Sequence, residues 1–161
     1  MGTTGQRPPR VPPRWFVRSF WAGHRSLYRA TGGRIGLSRP KPGKYGLLRL
    51  RTIGRRSGME RAVILAYFED GADLVLLAMN GWGDPPPAWW LNLLANPDTT
   101  VDLVDGARAV HAREAQGAER ERLWAAWRGY SKNPDDLDAL AGLRSRETPV
   151  VVLEPAATVT G

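Results

Sequence analysis

The chain has 161 residues, 42% of them hydrophobic and 24% charged, which suits one domain with a packed core and excludes a disordered chain. It has no cysteine and only two histidines, His24 and His111, which excludes disulfides and thiolate metal sites and argues against a dedicated zinc or non-haem iron centre. The formal charge of +7 is lopsided: residues 1–61 hold 15 Lys/Arg against one acid, Glu60, whereas residues 62–161 hold 8 against 15 acids. The first third of the chain should therefore meet something anionic: nucleic acid, a membrane surface or a phosphorylated small molecule. The longest apolar run, Ala62 to Phe68, is far short of the roughly 20 residues a membrane span needs. Arg18, His24 and Arg25 interrupt the N-terminal apolar stretch, so no secretory signal is expected and the chain is placed in the cytoplasm.

Residues 1–13 are rich in Pro, Gly and Arg, carry no periodicity and read as a flexible basic tail. A helix is expected from Arg14, with Phe16, Phe20 and Leu27 on one side. Arg14, Arg18, Arg25 and Arg29 fall within an arc of about 60° on its surface. Gly32-Gly33 ends it, and Pro40, Pro42 and Gly43 break the linker that follows. Leu47 to Ile53 reads as a strand, Gly54 to Gly58 as a turn, and Arg61 to Glu69 as a second strand. Asp70-Gly71 turns the chain into a third, Leu74 to Met79. Asn80 to Pro87 is a loop, and Pro87 opens a short helix, Ala88 to Ala95, that Asn96-Pro97 stops. Thr99 to Val104 and Arg108 to Gln116 form a hairpin around Asp105-Gly106. Helices are expected over Ala118 to Gly129 and, more weakly patterned, Pro134 to Leu143. Pro149 to Leu153 is the last strand. Six short strands in hairpins, without βαβ alternation, predict an α+β fold on an antiparallel sheet or small barrel.

Two segments could carry chemistry. Gly54-Arg55-Arg56-Ser57-Gly58-Met59-Glu60-Arg61 joins two strands. Its glycines let successive backbone N–H groups converge on an anion; Ser57 adds a hydroxyl, and Arg55, Arg56 and Arg61 add forked donors suited to phosphate. The alternative is a solvated basic turn, because G-x-x-x-G spacing is common. No Gly-Lys-[Ser/Thr] ending is present, so it is not a Walker loop. Asn80 to Trp90 ends a strand in a Gly- and Pro-shaped loop and opens a helix with paired tryptophans. Such a loop can wrap a flat aromatic ligand, with Trp82 on it; alternatively Trp89, Leu93 and Leu94 are the core face of a short helix. His111, alone and mid-strand, reads as structural. Asp135, Asp136 and Asp138 read as the solvated start of a helix.

The order Leu-x-Leu-x-Thr-x-Gly-Arg-Arg-Ser-Gly-x-x-Arg (48–61), the Asn-Gly at a strand end, Pro-Ala-Trp-Trp-x-Asn-Leu-x-Ala-Asn-Pro (87–97), Glu-Arg-Leu-Trp (121–124) and Pro-Val-Val-Val-Leu-Glu-Pro (149–155) together resemble the deazaflavin-dependent nitroreductase and quinone reductase family. The resemblance covers roughly residues 45–155. It implies a split β-barrel that binds coenzyme F420, with FMN as the alternative flavin. It also implies that Arg55, Arg56, Ser57, Gly58 and Arg61 grip the phosphate and tail, and that Met79, Asn80, Gly81 and Trp89 contact ring or tail. The implied reaction is hydride transfer from the reduced deazaflavin to an electron-poor acceptor such as a quinone or nitroaromatic. The acceptor side departs from the family. Where relatives carry a Thr-Pro-Leu-Tyr-type stretch and a C-terminal tyrosine cluster, this chain has Val63-Ile64-Leu65-Ala66-Tyr67 and only Tyr130. Ala66 and Tyr130 are thus the candidate substrate-pocket residues, no catalytic residue is assigned, and nitro-group reduction is not carried over.

The domain organisation expected is a basic tail (1–13), an N-terminal amphipathic helix and linker (14–44), and a deazaflavin-binding domain (45–155). Competing functions are a non-catalytic barrel holding a flavin, haem or lipid, and nucleic-acid binding. The latter is disfavoured because the aromatics of the first helix lie opposite its arginines instead of interleaving with them. The stripe over residues 14–29 suits peripheral contact with an anionic membrane surface, or packing of the aromatic face on the barrel.

Overall fold

Alternation in the first strand, β1 (Gly46–Ile53), separates an inner face, Gly46, Leu48, Leu50 and Thr52, from a half-exposed outer face. The same period of two recurs at the end of β4 (Asp98–Leu103) and in the middle of β5 (Gly106–Glu114), whereas β2 (Glu60–Asp70) buries both of its faces at Tyr67 and Phe68. β3 (Asp73–Leu77) and β6 (Val150–Pro155) are buried along most of their length, because helices cover their outer side. A computed structural model of the chain describes residues 36–80, 83, 85–130 and 134–157. The expected tail, the helix from Arg14, and Gly81, Trp82 and Asp84 lie outside the described residues.

The six strands close into an antiparallel barrel in the order β1-β2-β3-β6-β5-β4. Two tight turns follow from the register. Asp70 pairs with Asp73 across Gly71-Ala72, where Gly71 has φ of 62°. Leu103 pairs with Gly106 across Val104-Asp105, one residue earlier than the sequence suggests. The other shifts are of one or two residues at element ends; β3 stops at Leu77, so Met79 lies beyond the ladder.

Leu48, Leu50, Tyr67, Leu74, Leu76, Val101, Val110, Val151 and Leu153 fill the barrel interior. α1 (Ala88–Ala95) stoppers one end with Trp89, Trp90 and Leu93, which are 8%, 4% and 1% exposed. Pro87 sits at its N-cap, one place before the first turn, and its carbonyl accepts from Trp90 and Leu91 N–H. A second apolar layer forms outside the sheet. α2 (Gly117–Arg128) and α3 (Pro134–Ala141) place Leu123, Trp127 and Leu137 on Phe68, Val75, Leu77, Val150 and Val152.

The strand directions decide where the site is. Because neighbouring strands run antiparallel, the β1–β2 connection, the exit of β3, α1 and the entry to β6 all lie at one end of the barrel. The turns at Gly71 and Val104 lie at the other.

Candidate functional site

The β1–β2 connection is closed on itself by Gly54 N–H donating to Met59 O and Gly58 N–H donating to Gly54 O, both at 2.8 Å. Gly58 has φ of 68°, a left-handed conformation that suits glycine. At Gly54 a Cβ would come within 2.5 Å of Ser57 Oγ, so the serine hydroxyl folds back over the turn only because this position is bare. There Ser57 Oγ accepts from Met59 N–H at 3.2 Å and keeps its own proton to donate. Arg55 N–H donates to Asn92 Oδ1 of α1 at 3.1 Å. That leaves the N–H groups of Arg56 and Ser57 without an acceptor among the described residues.

Charge divides in the same way. On the outer face of β1, Arg49 and Arg51 converge on Asp102, with the Arg51 fork bidentate at 2.7 and 3.1 Å and Arg49 at 2.9 Å. Burial works against the Asp102 carboxylate, but the hydrogen bonds from Arg51 and Arg49 outweigh it and hold its pKa below the usual range. Arg55, Arg56 and Arg61 are exposed and make no ion pair among the described residues. Two open amides, a serine hydroxyl and three guanidinium groups make a donor set of the kind that suits an anion. Gly58 supplies the turn's reversal.

Met79 and Asn80 follow at the same end of the barrel. Met79 N–H donates to Leu77 O at 3.0 Å, and Gly83 N–H to Asn80 O at 3.0 Å, so the chain leaves β3 through two tight reversals. Met79 is half-buried and Asn80 exposed. Trp89 is packed into the barrel stopper, edge-to-face with Trp90 at 6.4 Å. Ala66 and Tyr130, expected at the acceptor, fall together in the outer apolar layer. Tyr130 stacks on Phe68 with ring centroids 5.1 Å apart and planes 14° apart, and Trp127 meets Phe68 edge-on at 5.3 Å.

Two residues that build the site carry no role in the sequence reading. One is Asn92. The other is Arg144, 8% exposed, whose Nη1 donates to Thr148 Oγ1 at 2.8 Å and lies 3.4 Å from Ala78 O. Ala78 N–H in turn donates to Pro149 O at 2.9 Å, so residues 144–149 hold the last residue before Met79. Arg144 stands beside Ser145 and Arg146 in a charged, Gly- and Ser-bearing stretch that looks like surface in the sequence.

His111 is structural: it faces its cross-strand partner Asp98, Nδ1 to Oδ1 at 2.7 Å, on the barrel surface. Asp136 and Asp138 are exposed near the start of α3, as expected, and Asp138 also ties that helix down. Trp124 Nε1 and the Arg128 guanidinium both donate to its carboxylate, at 2.7 to 3.2 Å, tying α3 to α2 and lowering its pKa. Among the described residues no group of three His, Cys, Asp or Glu could hold a metal ion.

A closed antiparallel barrel stoppered by a helix, with an open anion-type donor set at one rim, defines a small-barrel protein with a candidate ligand site at that end. Residues 21–155 match the family described as F420H(2)-dependent quinone reductase, and the chain belongs to that family. An F420H(2)-dependent quinone reductase of Mycobacterium tuberculosis is 35% identical over 133 residues, covering 81% of this chain and 86% of the relative. A solved F420-H2 dependent reductase (FDR-A) superposes with a TM-score of 0.59 at 28% identity, over 74% of this chain and all of the other. A solved chain described as a domain-swapped dimer superposes at 0.62 and 29% identity, over 89% of this chain and all of that one.

Proposed function

We propose that this chain transfers a hydride from reduced coenzyme F420 to an electron-poor acceptor of the quinone type. The observation that carries the reading is the open donor set at Arg55, Arg56, Ser57 and Arg61, sharing one barrel end with Met79 and Asn80. In that reading Arg56 and Ser57 N–H, the Ser57 hydroxyl and the three arginines bind the phosphate and the anionic tail. Met79, Asn80, Gly81 and Trp89 contact the ring or the tail. The deazaflavin, when bound, supplies the hydride; the chain orients it and excludes water. Ala66, with its small side chain, and Tyr130, backed by Phe68, offer an apolar aromatic wall to a planar acceptor.

The names of the relatives support the F420 dependence, and the chain's place in their family favours turnover over a barrel that only binds a flavin, haem or lipid. The test is a fluorescence titration with oxidised F420 beside FMN, on the natural chain and on Arg56→Ala with Arg61→Ala. F420 is expected to bind more tightly than FMN, and the double variant to lose at least about ten-fold, or about 1.4 kcal/mol. An unchanged affinity would remove the site assignment. Oxidation of reduced F420 by a quinone panel checks the reaction; binding without oxidation by any acceptor would return the chain to the non-catalytic reading.

A further inference from the structure

α1 carries one polar side chain that a barrel stopper does not need. Asn92 is 6% exposed and lies on the buried side of the helix with Trp89, Trp90 and Leu93. Burial alone would favour an apolar residue there, since an amide out of water must recover its hydrogen bonds. Asn92 recovers them across the barrel end: Oδ1 accepts from Arg55 N–H at 3.1 Å, and Nδ2 donates to Thr52 Oγ1 at 3.2 Å. An amide offers an acceptor and a donor diverging from one planar group. Thr52, 2% exposed on the inner face of β1, fixes which way that plane lies.

The consequence falls on the turn. Gly54 and Gly58 close it but do not set how its crest is presented. Asn92 takes the Arg55 N–H inward, and the next two N–H groups, those of Arg56 and Ser57, are left for an outside anion. The same helix follows directly on the Asn80–Pro87 loop. We infer that Asn92 is a positioning residue that couples the tail-binding turn to α1, the helix that carries Trp89, and so holds the two parts of the cofactor site in register. The inference rests on the proposed assignment of Gly54–Arg61 to the cofactor tail.

The experiment compares oxidised F420 with its bare deazaflavin chromophore, which lacks the phosphate and tail, on the full chain. The wild type should prefer F420, the tail supplying the difference. Two variants remove the strut: Asn92→Leu, and Asn92→Leu combined with Thr52→Val. The combination replaces the Asn92–Thr52 pair by apolar groups of similar shape, an exchange close to neutral for stability, and leaves the Arg55 N–H to water on the exposed turn. Both variants should lose about ten-fold or more of the preference for F420 while chromophore affinity stays within about two-fold. The double variant should keep its Tm within a few degrees of wild type, and in the cofactor-free protein the Arg55 amide should exchange faster with solvent. A preference retained in either variant overturns the inference, as does an equal loss for F420 and chromophore. A wild type without any preference for the tail, or one whose preference survives Arg56→Ala with Arg61→Ala, overturns the site reading itself.

Discussion

At the scale of single residues, the proposed phosphate turn depends on small groups as much as on arginines. A methyl at Gly54 would displace Ser57 Oγ, 2.5 Å away from that methyl, and break its bond to Met59 N–H. Gly54→Ala should therefore weaken F420 binding more than Ser57→Ala, which removes one donor and leaves the turn intact. Parallel fluorescence titrations check the order. Gly58→Ala meets open space but forces a side chain into φ of 68°, and should cost about 1–2 kcal/mol in urea unfolding. The glycines and arginines of this turn were legible because all sit within eight positions and their chemistry is local. Asn92 was not, because its partners stand 37 and 40 positions away and only the closure of the barrel brings them near. Arg49 and Arg51 look from sequence like more of the same positive charge; Asp102, across the barrel seam, takes them out of the anion site.

The elements themselves were legible from alternation and turn chemistry. Which strands pair was not, since the β1–β4 and β3–β6 contacts join segments separated by whole helices. The β1–β4 seam rests partly on Asp102 between Arg49 and Arg51. Its carboxyl pKa is held low in the fold, so its stabilisation is present above the unfolded carboxylate range of about 4 and is lost as pH falls through the lower folded value. The same sign holds for Asp70 beside Arg122 and Glu119 beside Arg113. Asp102→Asn should lower the Tm at pH 7 and flatten the fall in Tm on acidification below about pH 4, read by calorimetry across that range. The α2–α3 tie through Asp138 is mostly exposed and contributes little to global stability. Asp138→Ala should leave the Tm within a few degrees but speed proteolytic cleavage near Pro134–Ala141.

For the whole molecule, the six strands join into one closed ladder, but β2 meets β3 only through Phe68 to Asp70 and β1 meets β4 only at Arg49 and Leu50. The core ends in Leu93 of the stopper, 1% exposed, and Leu93→Ala should cost about 2–5 kcal/mol in chemical unfolding. Tyr67 adds an alkaline limit. Burial first, then Glu69 and Asp105, push its phenol up to about 12. A raised folded pKa means the contribution is complete below about pH 10 and drains away as pH rises towards 12. Tyr67→Phe should remove that part of the alkaline decline in urea midpoints. No pattern in the sequence marks Tyr67 as special, because its environment is made by residues from three other segments.

The two rims of the barrel are unequal in what they can be asked to carry. The hairpin tips at Gly71-Ala72 and Val104-Asp105 stand a strand's length from Arg56 and Met79. They are therefore the natural places for a cysteine graft. A linker or a dye fixed there would anchor the protein to an electrode or report on its orientation while the cofactor end stays clear.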